Sequence, residues 1–291
     1  MTGRPRADLA LVLVAAIWGA TFVIVKDALG SLGPLSFLAL RFALAAAVLV
    51  PVLFRARIHM TRAMVTASAL AGLLLFAGFG LQTAGLLFTT PARAGFITGL
   101  SVALVPLGGA LLVHTRASAA SIRGAVLACG GLALLSLNPA DLTTVGLGDL
   151  LVLGCAFAFA GHILLLGQVA PRHHAGLLTT LQILVAASLA SAAAWAIERP
   201  TPESLLGALP AAAFTGLLAT VGAFYVQTRA QRFTSASHTA LIFTLEPVFA
   251  AGYSFLATGE RLEWVGIVGC GLILAGMIAA SLEPKPTSRP C

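Results

Sequence analysis

Charge is scarce in this chain. Only 9% of its 291 residues are Asp, Glu, Lys or Arg, against the roughly 25% of soluble domains, while 59% are hydrophobic and the mean hydropathy is +0.99. Scarcity on that scale excludes a soluble globular domain and implies an all-α polytopic membrane protein with the lipid bilayer as its surroundings. Cysteine is also sparse: Cys129, Cys155, Cys270 and Cys291 show no CxxC or other metal spacing, and the first three fall inside apolar runs as small packing residues. No GxxxxGK[ST] loop occurs, which excludes nucleotide hydrolysis as the energy source, and no GxSxG nucleophile turn is present. The surplus of base, +7 in net charge, is spread over short gaps between apolar runs. It forms no patch that would hold nucleic acid.

Two short patterns invite an enzyme reading and fail it. Gly146-Leu147-Gly148-Asp149 matches the GxGD of intramembrane aspartyl proteases, which need a second buried aspartate, but Asp8, Asp27 and Asp141 fall in tails or loops. His173-His174 has no third ligand. The chain is therefore not expected to be an enzyme, and no cofactor or metal is expected.

What is abundant is apolar sequence in pieces about 20 residues long, the length of one membrane crossing. Ten such runs occur, near 9–26, 35–54, 64–86, 91–113, 122–137, 147–168, 174–196, 206–228, 236–257 and 263–282. The first follows Arg4 and Arg6 as a signal peptide would, but the runs after it make it a retained first helix. Connections are short and built of turn residues, as in Gly30-Ser31-Leu32-Gly33-Pro34 and Glu198-Arg199-Pro200-Thr201-Pro202. With the N-terminus inside, 12 of the 17 Lys and Arg fall on cytoplasmic segments, four (Lys26, Arg93, Arg199, Arg261) outside, and Arg41 within the second span. Both termini are thus expected in the cytoplasm. Met1–Asp8 and Glu283–Cys291 read as tails.

Duplication is the next expectation. Phe88-Thr89-Thr90-Pro91-Ala92-Arg93-Ala94 before span four resembles Phe233-Thr234-Ser235-Ala236-Ser237-His238-Thr239 before span nine, and Pro106 and Pro247 then stand in similar places. The halves are 9–137 and 147–282, joined by 138–146. Because each half holds five spans, the two have opposite orientations, an inverted repeat. Pro106 and Pro247 are the expected hinges, since each removes a backbone donor inside its helix.

Polar residues within the spans are the candidate site. Glu246 is an ionisable group in mid-span and costs at least about 3 kcal/mol to place there. It is either a ligand or proton carrier beside a polar cavity, or a carboxyl group satisfied in the bundle. Span one sets Trp18, Phe22 and Lys26 at spacings of four on one face. Arg41 can meet a substrate carboxylate, a headgroup or a bundle acceptor. Span three supplies Phe76, Phe79, Gln82 and Thr83, span four Arg93, Thr98 and Ser101, and span six Phe157, Phe159 and His162. Spans eight and nine carry Tyr225, Gln227, Thr228 and Gln231, then Phe243, Glu246 and Tyr253. The residues expected to bind substrate are Trp18, Phe22, Phe79, Gln82, His162, Tyr225, Phe243 and Glu246. Spans five and ten, with Gly124, Gly130 and Gly131 and with Gly266, Gly269, Gly271 and Gly276, suit close packing within the bundle or between copies of a homo-oligomer.

Trp18-Gly19-Ala20-Thr21-Phe22 with Lys26, Arg41-Phe42, Glu246-Pro247, Gly259-Glu260 and the Gly-rich last span resemble the EamA-type drug/metabolite transporters over nearly the whole chain. More narrowly, they resemble the YddG-type exporters of aromatic amino acids. The resemblance implies ten helices in two inverted five-helix repeats that export small metabolites across the bacterial inner membrane. The chain departs from a symmetric pattern in having Val105-Pro106 where the second half has Glu246-Pro247. The reading is a secondary exporter or facilitator of hydrophobic, above all aromatic, amino acids, working by alternating access. The alternative is an exporter of drugs or cationic amphiphiles, with Glu246 as the cation site. Its partners are then a small-molecule substrate and the bilayer, with protons as the candidate coupling ion through Glu246 and His162.

Overall fold

The computed structural model describes residues 3–55, 60–114, 118–136, 145–258 and 263–281. Most of the expected linker 138–146 and the whole tail 283–291 lie outside the described residues, as do Gly259, Glu260, Arg261 and Cys291. Among the described residues every regular element is helical and there is no strand. An apolar medium requires this, because a helix satisfies its backbone polar groups within itself.

The helices line up as rods. The first is α1 (Arg4–Gly19) and α2 (Thr21–Ala28), interrupted at Ala20; then come α3 (Pro34–Arg55) and α4 (Arg62–Gly85). The fourth rod is α5 (Pro91–Gly99) and α6 (Ser101–Leu112), and the fifth is α7 (Ala119–Ser136). Next are α8 (Leu147–Val169), α9 (Ala175–Ile197), and an eighth rod of α10 (Pro202–Gly216), a π-helical stretch Leu217–Gly222 and α11 (Ala223–Ala230). The ninth is α12 (Ala236–Phe243) with α13 (Glu246–Thr258), and the tenth α14 (Trp264–Ser281). Among the described residues, seven stretches are long and apolar enough to cross a membrane: Arg4–Ala28, Pro34–Phe54, Arg62–Gly85, Pro91–Leu112, Leu147–Arg172, Ala175–Ile197 and Pro202–Ala230. Ala119–Leu135 and Trp264–Ala280 are shorter apolar helices, and the ninth rod is divided by its break.

The first rod starts earlier than the composition suggests. Arg4–Asp8, expected as tail, is the opening turn of α1, with a proline in its first two positions, an Arg4–Asp8 pair at 3.7 Å and Asp8 held by His238 Nε2 at 3.2 Å. Polar residues at a helix end extend a span without lengthening its apolar run.

Pairing between rods has a regular pattern. Rod one contacts eight and nine, two contacts seven and eight, three contacts six and seven, four contacts six and nine, and five contacts ten and, to a lesser extent, nine. Exchanging every rod with the one five places along returns each of these pairs except the minor five–nine contact. The polar ties at the rod ends follow the same exchange. Asp149, in the first turn of rod six, accepts from Arg93 Nη2 (2.5 Å) and Nε (3.1 Å), from Thr89 Oγ1 (3.0 Å) and from the Gly146 amide (3.0 Å). Asp8, in the first turn of rod one, takes His238 in the place corresponding to Arg93. Near the Asp149 end, Glu198 at the close of α9 accepts from the Leu35 and Ser36 amides (3.0 and 2.8 Å) and from Ser36 Oγ (2.6 Å). A carboxylate there caps the N-terminus of α3. Lys26 Nζ donates to Leu86 O and, at 3.4 Å, to Thr89 O, where the end of α4 leaves carbonyls unpaired.

The glycines of rods five and ten are used within the chain. A Cβ on Gly131 would stand 2.5 Å from Gly269 O and one on Gly269 would stand 2.6 Å from Gly131 O; Gly124 and Gly276 oppose each other in the same way at 2.7 Å. The α7–α14 crossing is the most extensive contact in the fold. Gly130 and Gly271 face no atom within 4 Å.

Gly131→Ala is expected to destabilise the detergent-solubilised protein by about 1–3 kcal/mol, the usual cost of overpacking. The check is a thermal melt against Gly130→Ala, whose methyl group has open space. Equal midpoints would mean that the two helices separate without cost.

Candidate functional site

Four interruptions of helical bonding turn toward one place. In rod one the helix breaks at Ala20, and the freed Trp18 carbonyl takes Thr21 Oγ1 at 2.8 Å. In rod four the break is at Leu100, whose amide bonds Phe96 O and Ile97 O together, both at 3.2 Å. Pro106, the expected hinge, lies inside α6 six residues further on, because the helix closes tightly at Leu100 before the proline is reached. In rod nine the break falls on Thr244 and Leu245, whose amides bond three residues back (3.2 and 3.1 Å). Pro247 then occupies the first turn of α13, where its missing N–H leaves no bond unmade in that helix. In rod eight the interruption is the π turn Leu217–Gly222, the kind of irregularity that collects at functional sites.

That π turn has a physical consequence. Ala223 N donates to Leu218 O, five residues back, and the return to four-residue bonding leaves one carbonyl over. Ala219 O accepts from Trp18 Nε1 at 2.8 Å and from Arg41 Nη2 at 3.4 Å. Arg41 Nε donates to Thr220 Oγ1 (2.8 Å), Thr220 Oγ1 donates to Thr215 O (2.9 Å), and the guanidinium lies over the Phe79 ring, 4.2 Å from its centre. Arg41 is 2% exposed. Of its three expected roles, the bundle acceptor is the one the geometry supports.

Trp18 packs against two of the hydrophobic clusters and begins a chain of rings: Trp18–Phe243 at 4.8 Å, Trp18–Phe224 at 5.4 Å, Phe224–Phe79 at 5.9 Å and Phe79–Phe159 at 5.0 Å between centroids. These rings border a narrow cavity. The rings stand close, leaving about 50 Å³ in which the centre of a water-sized sphere fits, which is room for a few waters.

Of the expected site residues, Trp18, Phe79, Gln82, His162, Phe243 and Glu246 line this cavity together with Pro247. Phe22 and Tyr225 do not. Phe22 is buried with Val25, Phe37 and Ala94, and Tyr225 is 41% exposed on the outer face of α11. Phe159 and Gln227, named among the polar and aromatic span residues but not in the expected binding set, also line it, as do Thr21 and Phe224. Phe224 and Gln227 share a face three residues apart, and the preceding π turn shifts which face of rod eight looks inward. The available signal was the spacing of Phe224, Gln227 and Gln231.

The wall's polar groups are few. Gln82 Nε2 donates to Thr98 Oγ1 (3.1 Å), and His162 Nε2 meets Gln182 Oε1 (2.8 Å), which sits behind the wall with Thr228. Gln227 Nε2 donates to Gln231 Oε1 (3.2 Å), and Gln231 Nε2 to Ile163 O (2.8 Å). Glu246 is half-buried, and no ion pair to it occurs among the described residues. Among the described residues it is the only Asp, Glu, Lys or Arg in the wall. Gly19 sets its position: a Cβ there would stand 2.7 Å from Glu246 O and 2.9 Å from Ala250 N, so only glycine lets α1 lie against the start of α13. The arrangement can enclose an apolar body among rings and offer it one carboxylate and a few neutral polar atoms.

Comparison with known proteins places this geometry. The profile of the "EamA-like transporter family" matches residues 5–137 and again 146–282. An uncharacterized transporter of Archaeoglobus fulgidus is 32% identical over 285 residues, covering 96% of this chain and 87% of its own length. The uncharacterized transporter YyaM of Bacillus subtilis is 26% identical over 280 residues, covering 90% of this chain and 89% of its own. A crystal structure 20% identical in sequence has the same fold, with a TM-score of 0.75 over 96% of this chain and 99% of its own.

Arg41→Lys keeps a charge but cannot fork between Thr220 Oγ1 and Ala219 O while lying flat on Phe79. It is expected to lower stability by about 1–3 kcal/mol through the unmade bonds, read as a thermal or denaturant midpoint. An unchanged midpoint would show that the π turn needs no guanidinium.

Proposed function

Because the chain belongs to the EamA-like transporter family, and is a multi-pass membrane transporter rather than an enzyme, we propose that it is a ten-span secondary exporter working by alternating access. Its halves, 9–137 and 147–282, are inverted five-helix repeats with both termini in the cytoplasm, and it resides in the inner membrane. The pairing of rods, which apart from the minor five–nine contact maps onto itself on exchange of the halves, supports the repeat, as does the double match of the family profile. The excess of Lys and Arg on the segments assigned inside supports the orientation.

The observation that carries the reading is the cavity where the breaks at Ala20, Leu100 and Thr244–Leu245 and the π turn meet. A helix that has already given up a bond at one point bends there at low cost, so access can pass from one side to the other around a fixed site. The ring-lined wall favours substrates with an aromatic or apolar body, and Glu246 favours a protonated amine on that body. Hydrophobic and aromatic amino acids, as exported by the YddG type, answer that description. Cationic amphiphiles are the second reading, favoured by Glu246 as the sole charge in the wall. Protons are the proposed coupling ion, carried by Glu246.

Proteoliposomes holding the purified protein are expected to take up labelled tryptophan or a lipophilic cation saturably, above protein-free vesicles. Glu246→Gln should lower that uptake about tenfold or more, the effect of losing one charged contact. Pro247→Ala, which restores a donor to Phe243 O, should slow flux while ligand binding persists. Binding of the lipophilic cation, chosen without an indole, is read from the emission of Trp18, since Trp195 and Trp264 are 71% and 74% exposed. Uptake no greater than in empty vesicles for both solute types, from folded protein, would refute the assignment.

A further inference from the structure

The wall's hydrogen-bonding groups address the polar end of the substrate. Gln227 is 1% exposed and lines the cavity, and its Oε1 has no partner among the described residues. Which of its amide atoms is left over is set from behind. Ile163 O can only accept, so Gln231 must turn Nε2 toward it; Gln231 Oε1 then faces Gln227 and takes Nε2. The atom remaining to Gln227 is an acceptor. Buried acceptors without donors are rare in folded interiors, and one that borders a cavity has its donor in whatever fills the cavity.

Glu246 is a second acceptor with no partner among the described residues. Both residues line the same cavity, and the rings three residues before them, Phe224 and Phe243, both pack on the Trp18 indole. Nothing comparable is present for an anion. No Lys or Arg lines the cavity, Trp18 Nε1 is engaged by Ala219 O, and the Arg41 guanidinium is held by Thr220 and Ala219. The polar wall atoms left over, Ser101 Oγ, the remaining amide atoms of Gln82 and His162 Nδ1, carry no fixed positive charge. A carboxylate at this end of the cavity would meet another carboxylate and a carbonyl oxygen.

Resting on the transporter reading above and on the second of its two substrate classes, we infer that the cavity takes organic amines whose ammonium carries at least two N–H groups, one for Glu246 and one for Gln227 Oε1. The apolar or aromatic body lies among the rings. The site therefore discriminates against zwitterionic amino acids, which bring an unmatched carboxylate, and against quaternary ammonium ions, which leave Gln227 Oε1 without a donor. Sites built to hydrogen-bond a ligand reject analogues that lack the matching group.

Four compounds with one phenethyl body test this: phenethylamine, phenylalanine, trimethyl(phenethyl)ammonium and phenylpropionate. None contains an indole, so binding is read from Trp18 emission, and transport from counterflow in proteoliposomes. Phenethylamine is expected to bind at least about tenfold more tightly than the other three, consistent with one charged hydrogen bond. Gln227→Met should erase its advantage over the quaternary compound, and Glu246→Gln its advantage over phenylalanine. Binding of phenylalanine as tight as the amine would overturn the inference and leave an amino-acid exporter standing. Equal binding of the quaternary ion in the unsubstituted protein would overturn the role of Gln227. If none of the four moves while tryptophan or a lipophilic cation does, the inference fails and the transporter reading survives; if no solute moves, both fail.

Discussion

Inside an apolar medium each backbone carbonyl needs a donor, and the centre of this protein is organised around one that its own helix does not supply. The π turn of rod eight leaves Ala219 O free, and two side chains from the other half of the chain reach it, Trp18 and Arg41. That acceptor fixes the indole that two other rings pack upon, and it holds the guanidinium away from the cavity, over the face of Phe79. A straight rod eight would bond Ala219 O internally. Trp18 would then lose its anchor and Arg41 would remain as a buried cation with few partners, a costly arrangement in this environment. The irregular backbone and the aromatic cavity are one feature, because the first orients the side chains that make the second.

The ends of the bundle show how a duplicated fold can be mechanically uneven. Arg93 and Asp149 form a forked ion pair, further supported by Thr89 and Gly146, where Asp149 begins its helix. The related positions at the other end are His238 and Asp8, a single contact of 3.2 Å, with one oxygen of Asp8 buried and unpaired. Glu198, tying rod seven to rod two, adds three more bonds near the Asp149 end. Among the described residues that end is the more firmly tied. The inequality arises from the identity of two residues, Arg and His, at matched sites on a common scaffold.

The spacing of apolar residues made the rods legible, and the two unusual residues at 246 and 247 marked the site. Six of the eight expected site residues meet at one cavity because they lie in mid-span on faces that helical periodicity predicts. Tyr225 fails for a local reason: the π turn adds a residue to the turn and rotates α11, bringing Phe224 and Gln227 inward. Phe22 fails because rod one breaks at Ala20, so spacings of four from Trp18 do not carry across. Asp149 stands in the first turn of its helix, a favourable place for a negative charge, but its fork to Arg93 lies 56 positions away and no local pattern signals it.

By itself the sequence determined that the chain lies in a membrane as helices, how many apolar pieces it has and where their polar interruptions fall, since these follow from transfer free energy and local periodicity. Tertiary structure decided the rest: which carbonyl goes unpaired, which amide atom of Gln227 is left over, and that Glu246 is the only charge in the wall. Those outcomes depend on atoms far apart in the chain meeting within about 3 Å, the range in which a donor and an acceptor choose each other.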